Sequence, residues 1–360
     1  MLKSIEIDGF RGFNSLQIKD LRRVNLIVGP SASGKTAFLE AVRLAVGATP
    51  GVLWSLNSYR GLLVGVPTPL SREQFESAWS SYFYNFDLTR PIQFNMTDES
   101  GRRASVRIYF DAKAAVTPTP QQGFHGTSAP STIAPLAFER RSFAGEESRV
   151  RATVSPQNGQ MQLESAPELG IALELFASAG QHPGQVAGWF SLASTQNRER
   201  EIVAAVVDAF PLVTDLSVQA IPGQPVMLYA SLKNSPRKLP ISLVSSGITK
   251  FISVITAVRQ FQNGIVLIDE IENGTYYQKF EQLFSVLNSS SEAAQAQIFL
   301  TTHSLEFLKA ASNVIEEKPE DFSLIQIVQG PRGTEAVVVP GVNAAAAIEN
   351  NIEVRSARVH

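Results

Sequence analysis

The chain has 360 residues, of which 44% are hydrophobic and 18% charged, and its net charge is −2. This length fits two domains or one large α/β domain with insertions, and the composition supports a sizeable core. A near-neutral charge disfavours a protein that coats nucleic acid, although a local basic patch stays open. The chain has no cysteine, which excludes disulfides, thiolate metal sites and cysteine nucleophiles.

Neither end of the sequence predicts a membrane segment. The N-terminus alternates apolar and polar residues and has no apolar run of signal-peptide length. No stretch approaches roughly 18 uninterrupted apolar residues, the length that spans a bilayer. We therefore expect a cytoplasmic protein that makes no membrane contact.

The first half of the chain predicts strands and loops around one early helix. Residues 2–8 alternate as a half-buried strand, residues 24–28 form a short buried strand, and residues 37–46 form a helix. Residues 49–70, rich in Gly, Pro and Ser, predict a loop, and residues 71–87 predict a helix with a core-facing aromatic stripe.

Two hairpins follow, over residues 91–110 and 148–164. Between them, residues 112–135 are dense in Pro, Thr and Ser and predict a flexible loop. We therefore divide the chain into an α/β core, residues 1–48 and 196–360, and an inserted strand-and-loop lobe, residues 49–195.

The C-terminal half predicts alternating helices and buried strands. Residues 198–210, 246–260 and 277–287 are amphipathic, and continuous apolar runs at 264–269 and 297–300 are typical of central parallel strands. A late hairpin and a closing helix are expected at residues 324–339 and 344–354.

Residues 29–36, Gly-Pro-Ser-Ala-Ser-Gly-Lys-Thr, match the phosphate-binding pattern G-x-x-x-x-G-K-[ST] at every fixed position. A strand precedes them and a helix follows, so backbone N–H groups at the helix start would face a phosphate chain. Gly29 and Gly34 allow the turn, Lys35 would reach the β/γ-phosphates, and the Thr36 hydroxyl would bind Mg²⁺. The predicted cofactors are therefore ATP and Mg²⁺, with Ser31 and Ser33 also in the nucleotide site.

Two acids end the buried run at 264–269. Ligands of open α/β sheets bind beyond the carboxyl ends of the strands. Asp269 would hold the Mg²⁺ shell, and Glu270 would polarise the attacking water as a general base. Such an acid pair is weak evidence alone, but it strengthens the case for a nucleotide site when a phosphate loop lies upstream.

Two further segments complete the candidate site. The buried strand at 297–300 leads into Thr-Thr-His-Ser, where His303 would contact the γ-phosphate or the water. Residues 243–247, Leu-Val-Ser-Ser-Gly, open a helix, and the small Ser245 and Gly247 leave its N–H groups free for an anion. An ordinary hydrogen-bonding histidine and an ordinary helix cap are the alternatives.

The order of these motifs resembles the ABC-type ATPase heads of the SMC/RecF/OLD group, especially the stand-alone prokaryotic AAA family ATP-binding proteins. The resemblance is carried by five segments; it covers residues 1–48 and about 196–312 well and the inserted lobe hardly at all. The segments are residues 7–13 (I-D-G-F-R-G-F), 29–36, 239–247, 267–274 and 301–304. It implies a P-loop fold of the ABC type, a mixed central sheet flanked by helices.

The resemblance also implies a second copy of the chain. Ser245 and Gly247 would occupy the signature position, which contacts the γ-phosphate bound by the other protomer of a head-to-head dimer. Residues 273–274 would communicate across that interface. The sequence also allows assemblies larger than a dimer. Arg11 would lie near the nucleotide, with a surface salt bridge as the alternative.

Several positions depart from the family pattern. Tyr276 stands where His is usual, Ser31 where Asn is common, and Ser246 where the signature has Gly, which predicts slow hydrolysis. Four glutamines are candidates for the Q-loop position of the family. These are Gln121, Gln122, Gln181 and Gln196.

We expect an ATPase switch that controls a separately encoded effector, such as a nuclease or toxin, in prokaryotic anti-phage defence. Only 57 residues follow His303, so we expect no nuclease domain and no nuclease activity. The alternative is a DNA-repair or DNA-binding ATPase of the RecF or SMC kind. The arginine pairs at residues 102–103 and 140–141 favour this alternative. Charge does not indicate DNA as a partner, and an ATP-binding scaffold without turnover is a third reading.

Overall fold

The computed structural model describes residues 1–62, 70–117, 132–167, 169, 171, 173–176, 183–331, 333–350, 352, 354 and 355. Its strands are β1 (Leu2–Phe10), β2 (Phe13–Ile18), β3 (Val24–Val28), β4 (Ile92–Asp98), β5 (Arg103–Phe110), β6 (Leu136–Arg141), β7 (Glu147–Val154), β8 (Met161–Leu163), β9 (Leu173–Phe176), β10 (Val213–Gln219), β11 (Met227–Leu232), β12 (Leu239–Pro240), β13 (Ile265–Ile268), β14 (Gln297–Thr301), β15 (Phe322–Gly330) and β16 (Gly333–Pro340). Its helices are α1 (Lys35–Gly47), α2 (Pro50–Tyr59), α3 (Arg72–Ser80), α4 (Pro183–Thr195), α5 (Glu199–Ala209), α6 (Ser246–Gln260), α7 (Phe280–Ala294), α8 (Leu305–Glu317) and α9 (Gly341–Glu349).

Three sheets organise these strands. The core sheet has the order β16-β15-β3-β14-β13-β9, with parallel pairing except between β15 and β16. An antiparallel sheet has the order β2-β1-β4-β5-β6-β7-β8, and β10, β11 and β12 form a smaller sheet. The predicted fold class, a mixed α/β P-loop fold with helices flanking the sheet, is confirmed.

The core sheet separates two hydrophobic cores because its strands are buried on both faces. Along β3, Leu26 points to a core built with α4 to α9, and Ile27 points to a core built with α1, α2 and the antiparallel sheet. β14 alternates in the same way, with Leu300 in the first core and Phe299 in the second. Helix α1 therefore lies between the two large sheets.

The boundaries of the predicted inserted lobe do not follow the sheets. β1, assigned to the core from sequence, pairs with β4 of the expected lobe, with Ile5 opposite Met96. β9, also from the expected lobe, pairs in parallel with β13 of the core sheet. The lobe shares its sheet with β1 and β2, a pairing between distant segments that leaves no local sequence pattern.

The loop predicted over residues 49–70 is wrong for its first part, which forms α2. Pro50 occupies the first helical turn, where its missing N–H costs nothing. Leu53 and Leu56 then bury one face of the helix. Both predicted hairpins before residue 165 are confirmed, whereas residues 118–131 of the predicted flexible loop lie outside the described residues.

Gln297, the first residue of β14, links the N-terminal strand to the core sheet. Its side chain is 1% exposed. Its Oε1 accepts a hydrogen bond from the Leu2 N–H at 2.8 Å, and its Nε2 donates to the carbonyls of Leu2 at 2.9 Å and Arg22 at 2.8 Å. One buried amide thus satisfies three backbone groups of the neighbouring segment.

We predict that Gln297→Met lowers the free energy of unfolding by about 3 kcal/mol, because it leaves buried backbone groups without partners. Urea denaturation measures the change. Gln93→Met, on the exposed side of β4, is the control and should change stability by less than about 0.5 kcal/mol. Equal effects of the two substitutions would contradict this role.

Candidate active site

The phosphate loop connects β3 to α1 and needs both of its glycines. Gly29 and Gly34 have positive φ angles of 154° and 106°. A Cβ on Gly29 would lie 2.3 Å from the Ile327 carbonyl oxygen, and one on Gly34 would lie 3.0 Å from the Phe13 ring. The strands on either side therefore press against the loop, and only glycine fits.

Lys35 is folded onto this loop. Its Nζ donates to the carbonyl oxygens of Gly29 and Pro30, each at 2.9 Å, and the residue is 5% exposed. Burial lowers the pKa of Lys35, although the nearby Asp269 carboxylate opposes the shift. The ammonium has thus left water for two neutral carbonyls, and an anionic phosphate would be a stronger partner.

The two serines of the phosphate loop differ in exposure. Ser31 is exposed, whereas Ser33 is buried. The Ser33 Oγ has no hydrogen-bond partner within the described residues. Its backbone N–H donates to the Pro30 carbonyl at 3.2 Å, which closes the turn.

Asp269 joins three segments of the site. The Thr36 hydroxyl donates to its carboxylate at 3.0 and 3.2 Å, and the Thr301 hydroxyl donates to Oδ1 at 2.7 Å. The strands that deliver these residues are neighbours in the order β3-β14-β13. The predicted phosphate loop and acid pair therefore meet at one edge of the core sheet.

Glu270 has a left-handed backbone, with φ of 49°. Its N–H donates to the Thr301 Oγ1 at 2.8 Å, and its carboxylate accepts a hydrogen bond from Asn273. A positive φ is uncommon for Glu and is sustained only where surrounding contacts impose it. The side chain is partly exposed, so its carboxylate can reach a water molecule.

His303 follows β14 and faces Glu270. Its Nε2 lies 3.9 Å from the Glu270 Oε1. Its backbone N–H donates to the Glu272 carboxylate at 2.7 Å, and its carbonyl accepts from Arg355 at 3.1 Å. The loop that carries the imidazole is thus held on both sides.

Ser245 and Gly247 have contacts within their own chain. The Ser245 hydroxyl caps α6 by accepting from the Ile248 N–H at 3.2 Å. A Cβ on Gly247 would lie 2.0 Å from the Gly274 carbonyl oxygen. In the described part of the chain, no hydrogen bond or ion pair joins Ser245 or Gly247 to residues 29–36.

Arg11 is held in a buried ion pair. Its Nε lies 2.7 Å from the Glu40 Oε2 on α1, and its guanidinium lies 4.5 Å from the Tyr82 ring centroid. Arg60 bonds the other oxygen of Glu40 at 2.7 Å. Burial lowers the pKa of Arg11, and Glu40 opposes that shift. The guanidinium thus lies against α1. Arg11 does form an ion pair, but this pair is buried, whereas the alternative considered from the sequence was a salt bridge on the surface.

Sequence analysis assigns no role to Lys250 or Glu272. Lys250, on α6, donates from Nζ to the Asp269 carbonyl at 3.0 Å and to the Glu270 carbonyl. Glu272 holds the His303 loop as described above. Neither contact belongs to a motif, because each depends on segments that meet only in the folded chain.

Other sequence candidates fall away from this site or outside the description. Gln121, Gln122 and Gln181 lie outside the described residues, and Gln196 is exposed after α4. Arg140 is buried and donates to the Pro167 carbonyl. Arg102 forms an ion pair with Asp98, and Arg103 and Arg141 line one cleft on the antiparallel sheet.

Two family models match separate parts of the chain. A model for an AAA domain described as "putative AbiEii toxin, Type IV TA system" matches residues 211–309, and an AAA-domain model matches residues 4–120. An "ATP/GTP phosphatase" of Helicobacter pylori (strain ATCC 700392 / 26695) is 24% identical over 346 residues, covering 88% of this chain and 89% of that protein.

Head domains of SMC proteins are among the similar solved structures. An SMC head bound to the C-winged helix domain of ScpA is 12% identical, with a TM-score of 0.48, and covers 94% of this chain and 97% of that one. The SMC head domain from Thermotoga maritima is 13% identical, with a TM-score of 0.42 and coverage of 94% and 98%.

The AAA-domain matches confirm the predicted resemblance of the chain to ABC-type ATPase heads of the SMC and RecF kind. The matched ranges include the phosphate loop, Ser245, Asp269 and His303. None of the helices in the described ranges is long and apolar enough to cross a membrane.

We predict that Gly247→Ala lowers the free energy of unfolding by about 1–3 kcal/mol, because its Cβ must displace the backbone at Gly274. Thermal or urea unfolding measures the loss. Gly188→Ala on α4, where a Cβ meets nothing within 4 Å, is the control. It should be neutral or stabilising by about 0.5–1 kcal/mol; a similar loss in both variants would contradict the close contact.

Proposed function

We propose that this chain binds and hydrolyses ATP and uses the cycle as a conformational switch. The observation that carries the proposal is the convergence of Thr36 and Thr301 on the Asp269 carboxylate. It brings the phosphate loop, the acid strand and the His303 loop to one edge of the sheet. The similar Helicobacter pylori protein described as an ATP/GTP phosphatase supports the same function.

The residues at this edge fit a nucleotide with Mg²⁺. Mg²⁺ prefers oxygen ligands and is usually held by one or two protein groups together with phosphates and water. The Thr36 hydroxyl and the Asp269 carboxylate supply such oxygens, and Mg²⁺ would neutralise phosphate charge there. Lys35 exchanges its two carbonyl partners for phosphate oxygens when the nucleotide binds.

Glu270 is proposed as the general base. A carboxylate takes a proton from water that it can reach by a hydrogen bond, and the Glu270 side chain is partly exposed beside His303. His303 orients that water or contacts the γ-phosphate. Asn273 donates to the Glu270 carboxylate and competes with water for it, so we expect slow turnover.

A second copy of the chain is proposed to complete the site. Ser245 and Gly247 have no bond to their own phosphate loop among the described residues, and the start of α6 is exposed at Ser245 and Ser246. The α6 N-terminus offers free N–H groups to a γ-phosphate bound by the partner protomer. The homodimer would then form head to head around two nucleotides, with larger assemblies built from it.

The switch is proposed to control a separately encoded effector in prokaryotic anti-phage defence. The support is the match to an AAA-domain family whose description names a putative AbiEii toxin and a type IV toxin–antitoxin system. Affinity capture with bound ATP and with ADP tests this assignment. An effector retained in only one nucleotide state supports it, and identical capture in both states contradicts it.

We predict that Lys35→Ala weakens ATP binding by about 100-fold, the equivalent of two hydrogen bonds to a charged group. Equilibrium binding of a fluorescent ATP analogue measures this loss. Lys309→Ala, which removes an exposed lysine of α8, should leave binding unchanged. Equal affinity of the Lys35→Ala and wild-type proteins would exclude the phosphate loop as the site.

We predict that Glu270→Gln retains ATP binding and lowers kcat by about 100-fold or more, because the amide cannot accept the proton of water. Phosphate release and ATP binding are measured on the same preparation. Glu281→Gln, at an exposed position of α7, is the control. Unchanged turnover in Glu270→Gln would remove Glu270 from the general-base role.

A further inference from the structure

Lys250 lies on α6, the helix that begins at the proposed signature residues. It follows the Ser245 cap by little more than one helical turn, and its side chain crosses to the end of β13. There its Nζ donates to the Asp269 carbonyl at 3.0 Å and to the Glu270 carbonyl. A single ammonium therefore connects α6 to the backbone of both site carboxylates.

The two carbonyls converge because the chain turns sharply at Glu270. Its φ of 49° is uncommon for a side-chain-bearing residue. Neighbouring carbonyl oxygens that point toward one place repel each other unless a cation or several donors lie between them. The ammonium of Lys250 has three donors and a full charge, so it stabilises this arrangement.

The Thr301 hydroxyl holds the same two residues from the opposite side. It donates to the Asp269 carboxylate at 2.7 Å and accepts from the Glu270 N–H at 2.8 Å. Lys250 binds the two carbonyls, and Thr301 binds the Asp269 carboxylate and the Glu270 N–H. The backbone turn at Glu270 is thus held by one residue of β14 and one residue of α6, while Asn273 bonds the Glu270 carboxylate.

The ammonium of Lys250 is buried beside three carboxylates. Burial lowers the pKa of Lys250, but three carboxylates, led by Glu272, oppose the shift. One oxygen of Glu272 is buried and has no hydrogen-bond partner within the described residues. Its charge therefore adds to the field that favours the protonated lysine.

The stem of Lys250 lines a small apolar cavity between α6, α7 and α8. The cavity is about 20 Å³ in volume, and Phe251, Ile271 and Phe284 are among its other lining residues. A methionine has the same unbranched shape as the lysine stem and suits an irregular apolar gap. The donors of Lys250 can thus be removed while its packing is retained.

We propose that Lys250 is a positioning residue that holds Glu270 in its left-handed conformation and couples the start of α6 to the general base. This inference rests on the proposed ATPase function. Helix α6 then has two roles. Its N-terminus faces the partner protomer, and Lys250 in its first turns positions the general base Glu270 of its own protomer. A displacement of α6 at the dimer contact would be transmitted to Glu270 through this lysine.

The test uses Lys250→Arg, Lys250→Gln and Lys250→Met with Lys309→Met as control. Steady-state phosphate release gives kcat and KM, and equilibrium binding of an ATP analogue gives Kd. We expect Lys250→Met to lower kcat by about 10- to 100-fold, since a small misplacement of a reacting group has effects of this size. The Kd should stay within about 3-fold, because binding depends on Lys35 and the loop N–H groups.

The series separates positioning from a merely structural role. Turnover should fall as hydrogen-bond donors are removed from position 250. The Lys250→Arg variant should therefore have turnover close to wild type, and Lys250→Gln should lie between Lys250→Arg and Lys250→Met. If Lys250→Met fails to fold, the comparison of Arg with Gln decides. Equal turnover in those two variants, or a Kd that rises as much as kcat falls, would overturn the inference.

Failure of this inference is distinct from failure of the proposed function. The ATPase function itself would be refuted if the wild-type protein showed no ATP turnover, or a turnover that did not depend on Lys35 and Glu270. A wild-type protein that hydrolyses ATP, and a folded Lys250→Met variant that hydrolyses it equally well, would refute only the role of Lys250.

Discussion

The Asp269 carboxylate is the constraint on which the candidate site depends. It accepts hydrogen bonds from Thr36 and Thr301, and these residues follow or end strands that are adjacent in the core sheet. The carboxyl ends of neighbouring parallel strands meet at one edge, so residues far apart in sequence become neighbours. Lys35, Glu270 and His303 acquire their geometry from this shared edge.

The same edge explains how much could be predicted from the sequence. The phosphate loop and the acid pair each follow a short apolar strand, and a local pattern of strand and polar end is enough to place them. The antiparallel hairpins before residue 165 were also predictable, because their turns contain glycine beside polar residues. These predictions depend on segments that are contiguous in the chain.

The remaining features depend on contacts between distant segments. Helix α2 begins at Pro50 and buries Leu53 and Leu56 against a core that the local composition does not reveal. The pairing of β1 with β4 likewise joins segments on the two sides of the expected domain boundary. Arg11 matched a family position, but the charge that holds it, Glu40, lies on the buried face of α1.

The signature segment illustrates two uses of one sequence. Gly247 is required within its own chain, since its Cα packs against the Gly274 backbone, and Ser245 caps α6. These contacts explain why small residues occur there even without a partner protomer. The proposed dimer adds a second use, in which the free N–H groups at the start of the same helix bind phosphate.

That composite site is the central claim, and mixing two inactive variants tests it most directly. Lys35→Ala removes the phosphate-loop cation, and Ser245→Asp keeps a helix-capping oxygen while placing a carboxylate against the phosphate. We expect each variant alone to lack ATP turnover and a mixture to regain it, because one site of the mixed dimer has an intact Lys35 and an intact Ser245. No recovery in a mixture shown to exchange subunits would contradict a site shared between two copies of this chain.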